Sequence, residues 1–279
     1  MGKIAVLGPA GSHSHDLGLT MGDESSLVLL SSFGLAKALR EGSVERVLLP
    51  VENSIEGRVK WVLDLLVQDG LGYSVVGEAV WNVVHCLMGF GKLDEVRSVL
   101  SIPIATGQCR GLVESLARAT TQDTDSTSAA VKRIAEAKDP RLAAIGTRLA
   151  ARIYDVPVLK DDIGDDPNNQ TRFIVLGKTS PAPTGNDKTS IVFGVQNYSG
   201  ALVAVLEVLK VHHINMTMIF SEQSPARKLG GYIFFVDVGG HREDRALSLA
   251  LELIAQEASF FKVLGSYPCA TCAANPKQI

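Results

Sequence analysis

The chain lacks an excess of charge of either sign. Its 279 residues carry a formal net charge of -3, so nothing in it calls for nucleic acid as a partner. It lacks a long apolar run as well: no stretch reaches the ~18 residues that a membrane span needs. The opening Lys3-Ile4-Ala5-Val6-Leu7-Gly8 is too short an apolar segment for a signal peptide. Position 6 is Val6, where a myristoylation site would carry Ser or Thr. The expectation is a cytoplasmic protein that engages neither membrane nor nucleic acid. Cysteine is sparse, at four residues. Cys86 and Cys109 lie in apolar surroundings and read as buried thiols. Cys269-Ala270-Thr271-Cys272 is a lone CxxC near the end. A zinc site needs two further ligands, and no histidine follows His241. It reads as a tail open to an adventitious disulfide. A dinucleotide fingerprint is missing too, since the first glycine loop does not have GxGxxG spacing.

What remains is an ordinary globular composition, 46% hydrophobic and 20% charged, with length enough for about two domains. The organising stretch is Asp165-Asp166-Pro167-Asn168-Asn169-Gln170-Thr171-Arg172-Phe173, which runs into Ile174-Val175-Leu176. Pro167 and the two asparagines mark a turn, and Phe173 to Leu176 reads as a strand. Thr171 and Arg172 are therefore expected where a loop enters a sheet, a common place for sites in α/β proteins. Thr171 can donate or accept a hydrogen bond, and Arg172 offers a planar fork suited to a carboxylate.

Two other strand ends show the same pattern. Ile4-Ala5-Val6-Leu7 is followed by the loop Gly8-Pro9-Ala10-Gly11 and a helix that Ser12 or Ser14 can cap. Such a loop brings backbone N–H groups toward an anion. Val47 to Val51 reads as a strand leading to Glu52-Asn53-Ser54, with Asn53 or Ser54 placed to cap a helix over Val59 to Val67. A helix over Ser32 to Leu39 stops near Gly42. The β-rich stretch from Tyr73 to Gly89 can carry the chain from one sheet to another, and His85 within it reads as a satisfied core histidine. Val96 to Leu100 reads as a strand, Thr106 to Arg118 as a helix, Asp125 to Val131 as a capped helix start, Leu142 to Gly146 as a strand and Thr147 to Tyr154 as a helix. Short strands alternating with helices argue for α/β architecture.

Residues 179–188 are rich in Pro, Gly, Ser and Thr and read as a linker. Beyond it, strands are expected at Ser190 to Val195, Ile214 to Phe220, Tyr232 to Val238 and Phe261 to Gly265. Helices are expected at Gly200 to His213, capped by Ser199, and at Arg242 to Ala258. That order, βαββαβ, is the ferredoxin-like split arrangement.

These motifs, in this order, resemble prephenate dehydratases that carry a C-terminal ACT regulatory domain. The resemblance covers nearly the whole chain. It rests on Gly8-Pro9-x-Gly11-Ser12-x-Ser14-His15, Pro50-Val51-Glu52-Asn53-Ser54-x-x-Gly57, His85-Cys86-Leu87, Gln108-Cys109 and Ser126-Thr127-Ser128-x-Ala130. It also rests on Asn169-x-Thr171-Arg172-Phe173, Gly200-Ala201-Leu202 and Ile214-Asn215-Met216-Thr217. The resemblance implies a catalytic domain over residues 1–178, built as two α/β subdomains around a cleft like a type II periplasmic binding protein. It implies an α+β ACT domain over 189–268 and a tail over 269–279.

The resemblance further implies conversion of prephenate to phenylpyruvate, with loss of CO2 and water, in phenylalanine biosynthesis. Thr171 matches the family's catalytic threonine. Ser12, Ser14, Asn53, Ser54, Gln108, Ser126, Thr127, Asn169, Arg172 and Phe173 are the implied substrate residues. Arg172 would take one carboxylate, and the loop N–H groups near Gly11 and Ser12 the other. No metal or redox cofactor is called for. L-phenylalanine is the implied effector, bound by Asn197, Gly200, Ala201, Leu202 and Asn215 in a homodimer or homotetramer. Two departures stand out. Ser101-Ile102-Pro103-Ile104 replaces the family's Ser-His-Pro-Gln. Phe220-Ser221-Glu222-Gln223, with Pro displaced to Pro225, replaces its Glu-Ser-Arg-Pro. An arogenate dehydratase and a non-catalytic amino-acid-binding regulatory homologue are the alternative readings.

Overall fold

Alternation along three short strands shows how the sequence builds one of the sheets. Cys86, Met88, Leu100 and Ala144 point to one side, where Ala130, Val131, Ile134, Ala150 and Ala151 of the helices Thr127–Ala137 and Arg148–Tyr154 cover them. Leu87, Val99, Ala143 and Ile145 point to the other, against Ala105, Cys109 and Leu112. Period-two alternation with apolar residues on both faces is what a sheet covered on both sides requires. This sheet has the order Val158–Lys160, Cys86–Gly89, Leu142–Gly146, Ser98–Ser101, Thr120–Asp123. The first two pairings are antiparallel and the last two parallel. The buried thiols of Cys86 and Cys109 are as expected; burial pushes Cys109 up to about 12.

The molecule is described here by a computed structural model covering residues 2–224 and 231–270, so Pro225 and Cys272 lie outside the described residues. The chain divides into two units. One holds residues 2–58 and 81–172, the other residues 59–80 and 173–270. No helix among the described residues is long and apolar enough to cross a membrane.

In the first unit, Ile4–Leu7 pairs in parallel with Leu27–Leu30 on one side and Arg46–Asn53 on the other. Ser12 caps the helix His13–Met21, and Gly42, left-handed at φ 62°, ends the helix Ser32–Glu41. The helix expected over Thr106 to Arg118 is instead two, Pro103–Gln108 and Arg110–Ser115. Pro103 opens the first, where its missing N–H costs nothing. Cys109, drawn fully into the core, sits at the break with φ -122° and ψ 29°.

The second unit contains an antiparallel sheet in the order Met216–Gln223, Tyr232–Gly239, Asp187–Gly194, Phe260–Pro268. With the helices Ala201–Val211 and Arg245–Glu257 the chain order is βαββαβ, as expected. Ile191, Phe193, Val236 and Val238 form the core with Val205, Leu209, Leu247, Leu251 and Ile254 from those helices. Ser199 does not cap the first helix. Its cap position is Gly200, at φ 91°, and no side chain caps it. Strand Phe260–Pro268 lies so close to Val75 that a Cβ on Gly265 would stand 2.0 Å from the Val75 carbonyl oxygen, so only glycine fits there. Lys188 pairs with the buried Glu78 at 2.7 Å in the same unit.

Candidate active site

Asn53 ends the strand Arg46–Asn53, and the chain turns back at once to pair Asn53 with Gly57. Its Oδ1 accepts from the backbone N–H groups of Ile55 and Glu56, both at 2.9 Å. This local bond is the reason an asparagine suits the turn. It also corrects an expectation: neither Asn53 nor Ser54 caps the next helix. That helix, Lys60–Leu66, begins at Val59 without a side-chain cap.

With Oδ1 committed to backbone donors, the amide orientation is fixed. Nδ2 therefore donates, and it reaches Asn169 Oδ1 at 2.8 Å, the Gln170 carbonyl at 3.1 Å and Thr171 Oγ1 at 3.0 Å. Ser54 reinforces the same junction. Its N–H donates to the Gln170 carbonyl at 2.9 Å, its Oγ donates to the Asn168 carbonyl at 3.1 Å, and Gln170 N donates back to that Oγ at 3.0 Å. These bonds extend the strand to Gln170–Gly177. Thr171 and Arg172 are consequently half-buried strand residues rather than loop residues ahead of a strand at Phe173, and Phe173 is a core side chain.

The network continues into the chain's middle. Asn169 Nδ2 donates to Gln108 Oε1 at 2.9 Å, and Gln108 Nε2 donates to Glu56 Oε1 at 3.0 Å. His85 Nε2 lies 2.9 Å from the same Gln108 Oε1. Asn53, Ser54, Gln108, Asn169 and Thr171 are thus brought together, and they are joined by Glu56 and by His85, which the sequence suggested only as a core histidine. For His85 a signal was present, since it stands in the His85-Cys86-Leu87 motif; Glu56 occupies an open position of its motif, and nothing in the sequence marked it.

Thr171 occupies the chemically open end. Asn53 uses a lone pair of its oxygen, so the hydroxyl proton is not spent on Asn53. No acceptor for that proton is found among the described residues. The hydroxyl is held through its oxygen, with its proton left to donate.

The glycine loop meets the network through a ring contact. His13, the first residue of its helix, places its ring edge-on to His85 at 5.5 Å between centroids. Burial, with repulsion from His85, pushes His13 down to about 3. Burial also holds His85 below the usual histidine range, against the opposing effect of its bond with Gln108. The loop N–H groups expected to receive a carboxylate are already used: Gly11 N donates to His15 Nδ1 at 3.1 Å, and Ser12 N to the Pro9 carbonyl at 3.2 Å. Ser12 Oγ donates to the Leu7 carbonyl and accepts from His15 N. Ser14 is buried in the first turn. Ser126 caps the helix opened by the half-buried Thr127, accepting from Ala129 N at 3.0 Å. Thr147 donates to the Gly11 carbonyl at 2.5 Å, and Gly11 has φ 82° with Ala150 immediately behind it.

Beside Gln108 is a cavity of about 520 Å³ lined by Ile55, Glu56, Pro103, Ile104, Asp165 and Asp166. In the other unit, Asn197 and Gly200 are exposed, Ala201 is buried and Leu202 half-buried at the start of their helix. Asn215 is exposed just before the strand Met216–Gln223, and its carbonyl accepts from Gly239 N at 2.9 Å.

The family model described as prephenate dehydratase matches residues 4–181. A prephenate dehydratase of Mycobacterium sp. (strain JLS) is 34% identical over 294 residues, covering 99% of this chain and 92% of that protein. A solved prephenate dehydratase from Arthrobacter aurescens, in complex with L-Phe, superposes with TM-score 0.85 at 27% identity, covering 98% of this chain and 93% of the other. A solved structure of GqqA, described as a novel type of quorum quenching acylase, superposes with TM-score 0.84 at 28% identity, covering 96% and 98%. On the length of the family match and the identity to a full-length relative, this chain belongs to the prephenate dehydratase family.

Proposed function

We propose that the Thr171 hydroxyl is the group that assists departure of the ring hydroxyl as prephenate becomes phenylpyruvate. The observation that carries this is the 3.0 Å bond from Asn53 Nδ2 to Thr171 Oγ1, which leaves the hydroxyl proton to donate. In the reaction the carbon bond to the ring carboxylate breaks and CO2 departs. Its electron pair enters the ring, the opposite C–O bond breaks, and the hydroxyl leaves as water after gaining one proton. Threonine is a weak acid. Aromatisation supplies much of the driving force, so a preorganised donor at the developing charge is sufficient. The proton is made good from solvent. Arg172 pairs with a substrate carboxylate. Asn53, Ser54, Gln108 and Asn169 hold Thr171 in place, and Ser12, Ser14, Ser126 and Thr127 complete the substrate surroundings.

In this reading residues 1–178 form the catalytic domain, of the type II periplasmic-binding-protein kind. After the linker at 179–188, residues 189–268 form an ACT regulatory domain, supported by the observed βαββαβ order. L-phenylalanine, the ligand of the Arthrobacter relative, binds at Asn197, Gly200, Ala201, Leu202 and Asn215. There the exposed helix start favours an amino acid's carboxylate. The protein works in the cytoplasm as a homodimer or homotetramer.

One observation favours a second substrate. Glu56, Asp165 and Asp166 line the cavity beside Gln108, and carboxylates there suit the ammonium of arogenate better than the keto group of prephenate. Turnover of both compounds by the purified protein decides the matter. Prephenate consumed with release of phenylpyruvate supports the first reading. Phenylalanine formed from arogenate, with prephenate left intact, supports the second.

A further inference from the structure

Gln108 is gripped from two sides, by Glu56 at its Nε2 and by Asn169 and His85 at its Oε1. The protonation of the His85 ring follows from the backbone. The N–H groups of Ile55 and Glu56 can only donate, so Asn53 turns Oδ1 toward them. Its Nδ2 then faces Asn169 Oδ1, and Asn169 Nδ2 faces Gln108 Oε1. An oxygen that accepts from Asn169 also accepts from His85, so the ring's proton is on Nε2. Nδ1 is left bare, and it has no hydrogen-bond partner among the described residues. A buried acceptor nitrogen is easier to leave unpaired than a buried N–H. His85 is 3% exposed, and the His13 ring packs edge-on against it.

We propose that His85 is a positioning residue for the Thr171 site. As the Nε2–H tautomer it locks the Gln108 amide, and through Asn169 it holds the position of the Asn53 amide, whose donor direction the backbone already sets. A core histidine that merely fills space would affect stability without selecting the geometry of Thr171. A positioning histidine acts on kcat, because small misplacements of a reacting group are costly in the transition state. The proposal rests on Thr171 being the acting hydroxyl, but the ring's tautomer can be read without any turnover.

The variants are His85→Phe, which keeps a buried ring and loses the donor, and His85→Gln, which restores an N–H at similar reach. His85→Phe is expected to lower kcat about 10- to 100-fold with KM nearly unchanged, and His85→Gln to recover most of it. On a Gln108→Leu background, His85→Phe is expected to cost nothing more. Equal losses in the two His85 variants, or the same cost on both backgrounds, overturn the proposal. Should His85→Phe fail to fold, nitrogen NMR of histidine-labelled wild-type protein reads the ring directly. A protonated Nε2 with bare Nδ1 supports the proposal, and a protonated Nδ1 overturns it. A harmless Thr171→Ala would instead refute the catalytic reading and leave the tautomer standing.

Discussion

Asn53 and Thr171 are 118 residues apart in sequence, yet Asn53 Nδ2 donates to Thr171 Oγ1 at 3.0 Å. The direction of that bond matters more than its length. An asparagine whose oxygen is held by two backbone N–H groups can offer Thr171 only a donor, and this leaves threonine's own proton for a substrate.

Asn53→Asp separates the two halves of that arrangement. The aspartate still accepts from Ile55 and Glu56, so the turn is retained. It presents an acceptor to Thr171, which captures the hydroxyl proton, and it removes the donor that Asn169 Oδ1 and the Gln170 carbonyl share. The expected outcome is a folded protein with kcat reduced by about 10²-fold or more, measured by steady-state turnover alongside circular dichroism. Wild-type kcat in this variant would show that the bond has no part in orienting Thr171.

Gly11 tests the packing behind the glycine loop. Its φ of 82° disfavours any side chain, and an added Cβ would lie 2.8 Å from the Ala150 Cβ. Gly11→Ala is therefore expected to destabilise the protein by about 1–3 kcal/mol, read from the urea midpoint. A midpoint equal to wild type would mean that the loop adopts another conformation.

His13 makes stability depend on acid. Folded, it is held down to about 3 by burial and by His85; unfolded, it takes up a proton near 6.5. Between those values the unfolded chain binds the extra proton, so stability is fully present above about pH 6.5 and falls as pH drops toward 3. The slope from this one group is about 1.4 kcal/mol per pH unit. Urea unfolding of wild type and His13→Asn at pH 7, 6 and 5 should show the shallower decline in the variant. Parallel declines would contradict the assignment.

Local features of this fold were readable from sequence because local chemistry decides them. Ser12, Ser126 and Thr147 each accept from the N–H three residues on, as N-caps should. Gly42 ends its helix where only a left-handed residue fits. The strands Leu27–Leu30, Thr120–Asp123 and Val158–Lys160 were not foreseen. They are three or four residues long, and Thr120–Asp123 has no apolar face, so parallel pairing with Ser98–Ser101 alone makes it a strand. The site divides the same way. Thr171, Asn53 and Gln108 were named from motifs. Their geometry depends on pairings across 61 and 116 residues, Asn169 with Gln108 and with Asn53. No window of sequence shows that Asn53 would abandon the helix for the Asn168–Thr171 segment, or that Glu56 and His85 would close on Gln108.

The most direct test is single-turnover conversion of prephenate by wild type, Thr171→Ser and Thr171→Ala. Serine keeps a hydroxyl for Asn53 to hold, and alanine removes it. The expected result is substantial activity with serine, a loss of about 10²–10³-fold with alanine, and the same urea midpoint for all three proteins. Release of phenylpyruvate by Thr171→Ala at the wild-type rate would contradict the account.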